Sequence, residues 1–533
     1  MNYRTLTLAS VSMAAALLAG TVQAKTLIFC SEGSPENFSP ARATSGTTST
    51  AAAETIYSRL LDFERGTTNL VNSLAEKYEV SADGKVYTFK LRKGVKFHTT
   101  SFFKPTREMN ADDVIFSIER QWKKDHPYNP VGGGKYQYFD DLGMSSELEK
   151  VEKVDDLTVR LTIKEPLSPF ITNIAMPFMS VYSKEYADQL QKQGKMEEID
   201  LKPVGTGPFV FVDYVKDSTI RYKTNPDYFE GKSSLDGLVF AITPDAAQRV
   251  NKLKAGECNV AAYPNPADIE ALKKEANLKV VQQAGLNVGY ISFNTEKAPF
   301  GDKRVRQALN LAVNKKTILD AIYPGGIGEI AKNPIPPVIG WAYNNDIKDY
   351  AYDPEAAKKL LAEAGVPADT EVELWAMPVA RPYNPNAKRM AEVVQADWAK
   401  VGIKAKIVSY EWADYLKRVR AGEHQTVMLG WTGDTGDPDN FMFELLGCGS
   451  AKTGGNNARW CNAAYEELIQ KARKTSDRAE RGKLYKEAQV IFKDEAPWLT
   501  VAHAVQTVPM AKNVEGFKVD PLGRFKFYGV SMK

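Results

Sequence analysis

The chain has 533 residues, of which 43% are hydrophobic, and its 69 Lys plus Arg against 66 Asp plus Glu give a formal net charge of +3 at pH 7. This near balance excludes a strongly basic protein that binds nucleic acid or an anionic membrane surface. The length allows about three domains of roughly 150 residues each, and no repeat period or low-complexity tract indicates a solenoid.

The first 24 residues have the features of a secretory signal peptide. Arg4 lies near the start, an apolar stretch centred on MAAALLAG follows, and Val22-Gln23-Ala24 provides a small-residue cleavage site. The apolar run is shorter than the roughly 20 residues that a membrane-spanning helix needs. We therefore expect cleavage after Ala24 and a freely diffusing exported protein, because no cysteine follows the cut to carry a lipid.

Local patterns further along the chain mix strands and helices. Tyr87, Phe89 and Leu91 alternate with polar residues, which predicts a half-buried strand. NADDVIFSIERQ predicts a helix capped by Asn110, and YDPEAAKKLLAEAG predicts another that begins after Asp353. Together these patterns favour two or three compact α/β domains.

Four cysteines, Cys30, Cys258, Cys448 and Cys461, fit an oxidising compartment and allow three pairings. Cys448 and Cys461 flank GSAKTGGNNARW, a polar loop in which a disulfide would remove about 3 kcal/mol of unfolded-state entropy. We therefore predict a Cys448–Cys461 bond and, from the remaining pair, a Cys30–Cys258 bond. Zinc is not favoured, because the chain has no Cys-x-x-Cys and its histidines do not approach ligand spacing.

The segment GWTGDTGDPDNF, residues 430–441, places three aspartates beside Trp431 directly after the apolar run TVMLG. Asp434, Asp437 and Asp439 do not match a calcium loop, in which Leu445 would replace the bidentate glutamate. A glycosidase pair usually comes from separate strands or loops rather than from one tight turn. We interpret Asp437 and Asp439 as turn-capping residues, and Asp434 beside Trp431 as a site for an ammonium group.

The rest of the chain contains no recognised catalytic motif. It has no Gly-x-Ser-x-Gly, no Walker loop and no Cys-His arrangement, and GGGK at 132–135 lacks both the P-loop spacing and a following Ser or Thr. The sequence therefore predicts no catalytic residues, no cofactor and no metal site.

Several segments resemble, in order, the solute-binding proteins of peptide ABC transporters and above all the periplasmic dipeptide-binding proteins. Among them are CSEGSPENFSP, GTGPF, VRQALNLAVNKK, WAMPVARPYNPN and GWTGDTGDPDNF, and the likeness runs from about residue 25 to 533. The resemblance implies an α/β fold of two lobes, type II and cluster C, with an extra domain in the first lobe. The implied limits are domain I at 25–57, 206–284 and 505–533, domain II at 58–205, and domain III at 285–504.

The resemblance also implies the roles of individual residues. Asp434 would receive the ammonium group of a peptide, and Arg381 would grip its carboxylate through two parallel hydrogen bonds. Trp431 would wall a side-chain pocket, while backbone groups beside it would pair with the ligand as an added strand. The other residues expected at the ligand are Gly430, Thr432, Gly433, Tyr136, Thr44, Ser45 and Gly46.

These expectations predict binding without chemistry. A monomeric periplasmic protein would close two lobes on a dipeptide or short peptide, and an inner-membrane ABC transporter permease would recognise the closed form. Relatives of this architecture take longer peptides, glutathione, haem or nickel, so these ligands are the alternatives within the binding class. A glycosidase that uses the loop aspartates is the alternative among enzymes.

Overall fold

The computed structural model of the protein describes residues 25–42, 45–410, 412–453 and 455–533. The predicted signal peptide and Thr44 therefore lie outside the described residues. Within these ranges no helix is long and apolar enough to cross a membrane.

Strands occur throughout the described chain and are numbered here in chain order. They are β1 (Thr26–Ser31), β2 (Leu61–Phe63), β3 (Leu70–Asn72), β4 (Ala75–Val80), β5 (Val86–Leu91), β6 (Leu148–Asp155), β7 (Thr158–Ile163), β8 (Phe209–Val215), β9 (Thr219–Thr224), β10 (Gly237–Ile242), β11 (Val260–Ala261), β12 (Leu278–Ala284), β13 (Asn287–Phe293), β14 (Gly328–Ile330), β15 (Thr370–Trp375), β16 (Ile403–Val408), β17 (Thr426–Thr432), β18 (Trp498–Ala511), β19 (Val514–Glu515) and β20 (Ser531–Met532).

Helices lie between groups of these strands. They are α1 (Gly46–Thr48), α2 (Ala111–Trp122), α3 (Gln137–Asp141), α4 (Met144–Glu147), α5 (Phe170–Asn173), α6 (Lys184–Lys192), α7 (Ala246–Lys254), α8 (Ile269–Leu272), α9 (Lys303–Leu311), α10 (Lys315–Ile322), α11 (Pro354–Glu363), α12 (Ala387–Ala399), α13 (Trp412–Arg420), α14 (Asp439–Met442), α15 (Cys448–Thr453), α16 (Ala463–Lys474) and α17 (Arg478–Glu495).

Three elements confirm the local patterns of the sequence. In β5 the side chains of Tyr87, Phe89 and Leu91 are buried while the intervening residues are not, as a period of two predicts. Helix α2 begins after Asn110, which forms a capping box with Asp113. Helix α11 begins with a proline after an aspartate N-cap. The predicted α/β class is thereby confirmed.

The largest sheet of the described chain contains twelve strands. Its order is β16-β15-β17-β13-β18-β11-β1-β10-β9-β8, and β12 and β14 also pair with β18. A separate antiparallel sheet has the order β4-β5-β7-β6 and contacts helix α2. Parallel pairing of β1 with β10 and of β15 with β16 gives both halves of the large sheet an α/β character.

Strand β18 connects the two halves of the large sheet. Its first residues, up to Ala502, pair with β13, while the residues from Val505 onwards pair with β12. Between β12 and β13 the chain passes through Gly285 and Leu286, so two neighbouring segments cross from one half of the sheet to the other. The limits 284/285 and 504/505, which the resemblance implies, fall in these segments, and the domain division stays a prediction.

Two large hydrophobic cores lie on either side of these crossings. The first contains residues from 27 to 262 and from 508 to 530, and the second contains residues from 269 to 504. We call the parts of the chain around them the first and second lobes. The predicted disulfides are both confirmed, Cys30–Cys258 in the first lobe and Cys448–Cys461 in the second.

Candidate functional site

Strand β17 carries the candidate site on the second lobe. It pairs antiparallel with all of β13 but parallel with only the end of β15, through Thr426 and Val427. The aspartate loop, residues 433–440, therefore leaves the carboxyl end of β17 at the sheet edge where the loop that contains Arg381 leaves β15. Ligands of open α/β sheets bind at such edges.

Hydrogen bonds from both lobes hold the Asp434 side chain. The Tyr138 hydroxyl, from the first lobe, donates to Asp434 Oδ1 at 3.2 Å. On the second lobe, Asn440 Nδ2 lies 3.5 Å from Asp434 Oδ2. Asn440 Oδ1 accepts from the Asp434 N–H and from Trp431 Nε1, each at 2.9 Å. Asn440 thus fixes the carboxylate and the indole relative to each other.

Asp434 lies on the wall of a cavity of about 230 Å³ between the lobes. We call it the Asp434 cavity. Five predicted residues line it, namely Ser45, Gly46, Thr432, Gly433 and Asp434. Lining residues that the sequence did not predict are Pro40, Ser49, Tyr138, Pro177, Leu522 and Arg524. Trp431 and Gly430 lie outside this lining but belong to the same strand end.

The structure places Tyr138, and not the predicted Tyr136, at the cavity. Tyr136 is 1% exposed, and its hydroxyl donates to the backbone carbonyls of Tyr128 and Asn129 at 3.1 and 3.2 Å. Tyr136 directly precedes helix α3 and Tyr138 is the second residue of that helix, so the two side chains leave the backbone in different directions. The segment KYQYFD presents both tyrosines, and its sequence alone does not distinguish the buried ring from the one that reaches the second lobe.

The predicted Arg381 lies outside the Asp434 cavity, in a tight turn after β15. Its backbone forms two 3.0 Å hydrogen bonds with Asn384, and its half-buried guanidinium lies 5.1 Å from the centre of the Trp412 ring. Tyr383 of the same turn packs on Gly430, where an added Cβ would lie 2.5 Å from Tyr383 Cγ. A glycine at this position therefore lets the arginine turn lie directly on β17.

The other two loop aspartates are buried in ion pairs. Asp437 Oδ1 accepts from Arg481 Nη2 at 2.8 Å and from the N–H of Asp439 at 3.0 Å. Asp439 begins helix α14, and its Oδ1 lies 3.2 Å from Arg473 Nε. Burial nevertheless raises the pKa of Asp439 to about 7, because the desolvation of its carboxylate outweighs the attraction of Arg473. These contacts support the interpretation of Asp437 as a capping residue. Within the described chain Asp439 is instead a structural group, since an ion pair holds its side chain and no backbone N–H donates to it.

Comparisons with known proteins identify the family. A family model described as bacterial extracellular solute-binding proteins, family 5 Middle, matches residues 69–453, which is more than half of the chain. The dipeptide-binding protein of Escherichia coli (strain K12) is 54% identical over 523 residues, covering 98% of this chain and 97% of that protein. Heme-binding protein A of Haemophilus influenzae is 50% identical over 508 residues, covering 95% and 92% of the two chains.

Solved structures give the same result at the level of the fold. HbpA2 from Haemophilus parasuis superimposes with a TM-score of 0.93 at 47% identity, covering 95% of this chain and 100% of that one. A dipeptide-binding protein from Pseudoalteromonas sp. SM9913, in complex with Met-Leu, gives 0.76 at 39% identity, covering 95% and 100%. The predicted two-lobed binding-protein fold is confirmed, and the chain belongs to family 5 of the bacterial extracellular solute-binding proteins.

Proposed function

We propose that the protein captures dipeptides in the periplasm and delivers them to an ABC transporter permease. The observation that carries this proposal is the position of Asp434, a half-buried carboxylate on a cavity wall, held by a hydroxyl of one lobe and an amide of the other. Relatives named as dipeptide-binding proteins support the ligand class.

Asp434 receives the ammonium group of the peptide. A charge-assisted hydrogen bond to a carboxylate is roughly twice as strong as a neutral one, and exclusion of water from the closed cavity strengthens it further. Asn440 and Tyr138 keep the carboxylate in one orientation, so the ammonium group meets a prearranged acceptor. The indole of Trp431, fixed by the same Asn440, adds a rigid wall along the strand end.

Arg381 receives the carboxylate at the other end of the peptide. Its turn lies against Gly430 of β17, two residues before the strand ends. An extended peptide advances about 3.3–3.6 Å per residue, so two fixed charged groups act as a ruler for its length. We expect this ruler to fit a dipeptide, since each added residue moves the carboxylate away from the guanidinium.

The peptide backbone lies along β17 between these two groups. On the side of β15, strand pairing of β17 stops after Val427 in the described chain, so Gly430, Trp431 and Thr432 have no strand partner in that direction. An added strand takes its hydrogen bonds from such an edge and leaves the side chains to point into separate pockets. This arrangement requires free charged groups at both peptide termini but accepts many different side chains.

Ligand binding shifts the population of the two lobes towards the closed form. The ligand contacts both lobes. The free energy by which it favours the closed form equals the difference between its binding free energies for the closed and open forms. The permease recognises this closed form, and the protein itself catalyses nothing. The glycosidase alternative needs two of the three loop aspartates, and two of these, Asp437 and Asp439, are held by Arg481 and Arg473.

Calorimetry with matched di-, tri- and tetrapeptides tests the proposal. Dipeptides are expected to bind most tightly, and C-terminal amidation is expected to weaken binding about hundredfold or more, since a buried charge loses its partner. Arg381→Ala removes this difference between free and amidated peptides, while Arg389→Ala, an exposed arginine on α12, is the matched control. Equal affinity for all three lengths contradicts the proposal.

Haem is the second candidate ligand, because Heme-binding protein A of Haemophilus influenzae is 50% identical to this chain. A titration with haemin, followed by the visible absorption of the bound form, tests it. Saturable haemin binding together with absent dipeptide binding would replace the proposed function.

A further inference from the structure

Arg524 is a buried arginine on the wall of the Asp434 cavity with few hydrogen bonds of its own. It is 8% exposed, and within the described chain its Nη1 has no hydrogen-bond partner. Its Nη2 has only long contacts, at 3.5 Å to the backbone carbonyl of Asp434 and at 3.6 Å to Met176 Sδ. Buried donors are nearly always hydrogen-bonded in native structures, so this guanidinium is prepared for an acceptor that the described residues do not supply.

The carboxylates nearest to Arg524 are engaged by other cations. Glu54 Oε1 lies 3.8 Å from Arg524 Nη1, beyond hydrogen-bond distance, while Glu54 Oε2 lies 3.1 Å from Arg59 and 3.5 Å from Lys526. Asp62 binds the same two cations, at 2.6 Å to Arg59 and 2.9 Å to Lys526. Asp520 is the other buried carboxylate that attracts Arg524, but burial raises its pKa. Within the described chain, Arg524 is therefore the cation of this cluster that has no carboxylate at hydrogen-bond distance.

The geometry of the proposed peptide complex indicates which ligand group reaches Arg524. This step depends on the proposed function, in which Asp434 binds the ammonium group. The backbone then runs along β17 towards Arg381, which lies outside the Asp434 cavity. The group that enters the cavity is therefore the side chain of the first residue. There it meets Arg524 and Ser49, whose buried hydroxyl has no hydrogen-bond partner within the described chain.

We propose that Arg524 selects peptides whose first residue is aspartate or glutamate, by binding the side-chain carboxylate in the Asp434 cavity. A guanidinium is planar and offers parallel N–H donors, which match the two oxygens of a carboxylate. The ammonium and the side-chain carboxylate of such a peptide are adjacent opposite charges, and Asp434 and Arg524 present the complementary pair on one cavity wall.

Calorimetry with isosteric peptides tests this selection. Glu-Leu is expected to bind the wild-type protein about tenfold more tightly than Gln-Leu, because hydrogen bonds between charged groups are stronger than neutral ones. Arg524→Gln brings the ratio of the two affinities close to one, and Arg524→Lys keeps part of it. The pair Leu-Glu and Leu-Gln, with the carboxylate on the second residue, is expected to show no dependence on Arg524.

Arg478→Gln is the matched control, since it removes the same charge from a different cavity between the lobes, where Arg478 Nη2 donates to Asn69 Oδ1 at 3.1 Å. This variant is expected to keep the wild-type ratio. A wild-type ratio near one, or a ratio that survives in Arg524→Gln, would overturn the selection by Arg524. The wild-type ratio needs no variant, so a misfolded Arg524 variant leaves the test intact. Failure of every free dipeptide to bind would instead refute the proposed function.

Discussion

Gly436→Ala is predicted to obstruct closure of the two lobes. Gly436 lies in the aspartate loop of the second lobe, directly against Thr68 of the first lobe. A Cβ at this position would overlap the Cβ of Thr68 and lie 2.8 Å from its Oγ1 and 2.9 Å from its backbone oxygen. Favourable carbon contacts need about 3.5–4.0 Å, so the lobes must separate locally by roughly 1 Å.

Overpacking of this size typically costs about 1–3 kcal/mol, and the open form does not experience it. Dipeptide affinity is therefore expected to fall about 5- to 150-fold in Gly436→Ala while the melting temperature of the ligand-free protein changes little. Calorimetry and thermal unfolding measure the two effects. Gly449→Ala is the matched control, since an added Cβ there has no neighbour within 4 Å in the described chain. Unchanged dipeptide affinity in Gly436→Ala would refute this contact as a feature of the ligand-bound form.

Three further predictions concern the site and the stability of the fold. Asn440→Ala is expected to lower dipeptide affinity about 5- to 100-fold in calorimetry. The reason is that the Trp431 indole and the Asp434 N–H lose their shared acceptor. Unaltered affinity would contradict the role of Asn440. The Cys30–Cys258 disulfide spans 228 residues and the Cys448–Cys461 disulfide spans 13. In urea unfolding, loss of the first is expected to cost about 5 kcal/mol of stability and loss of the second about 3 kcal/mol. The reverse order would contradict the entropic argument. Burial raises the pKa of Asp439 to about 7, so as the pH rises the unfolded chain releases this proton at a lower pH than the folded protein does. The stability of the wild type is therefore expected to fall as the pH rises from about 4 to about 7. Asp439→Asn is expected to remove that loss in urea unfolding at about pH 4.5 and pH 7.5, and an identical pH dependence in both proteins would contradict it.

Local features of the fold could be predicted from the sequence because neighbouring residues determine them. The alternation at Tyr87, Phe89 and Leu91 reflects the two faces of a strand, and the Asn110 cap satisfies N–H groups at the start of its own helix. The change of partner along β18 depends on strands more than two hundred residues away, so no local pattern indicates it.

The candidate site was partly predictable for the same reason. Asp434 and Trp431 lie in one short segment, residues 430–441, whose composition suggests an ammonium site. Tyr138 reaches Asp434 across a sequence separation of 296 residues, and Arg524 comes from near the carboxyl terminus, so only the folded chain brings them to the cavity. Asn440 lies within the loop itself, but an asparagine after aspartate and proline is as typical of a plain turn as of a bridging residue.

A single calorimetric cycle tests whether Asp434 binds the ammonium group of a dipeptide. A free dipeptide and its N-acetylated form are titrated into the wild type and into Asp434→Asn. Loss of one partner of a buried charge pair costs about 3–5 kcal/mol, so acetylation is expected to weaken binding to the wild type hundredfold or more. In Asp434→Asn the same acetylation is expected to change the affinity less than about threefold, since the ammonium group has already lost its partner. An equal effect of acetylation on both proteins would contradict the binding of the ammonium group by Asp434.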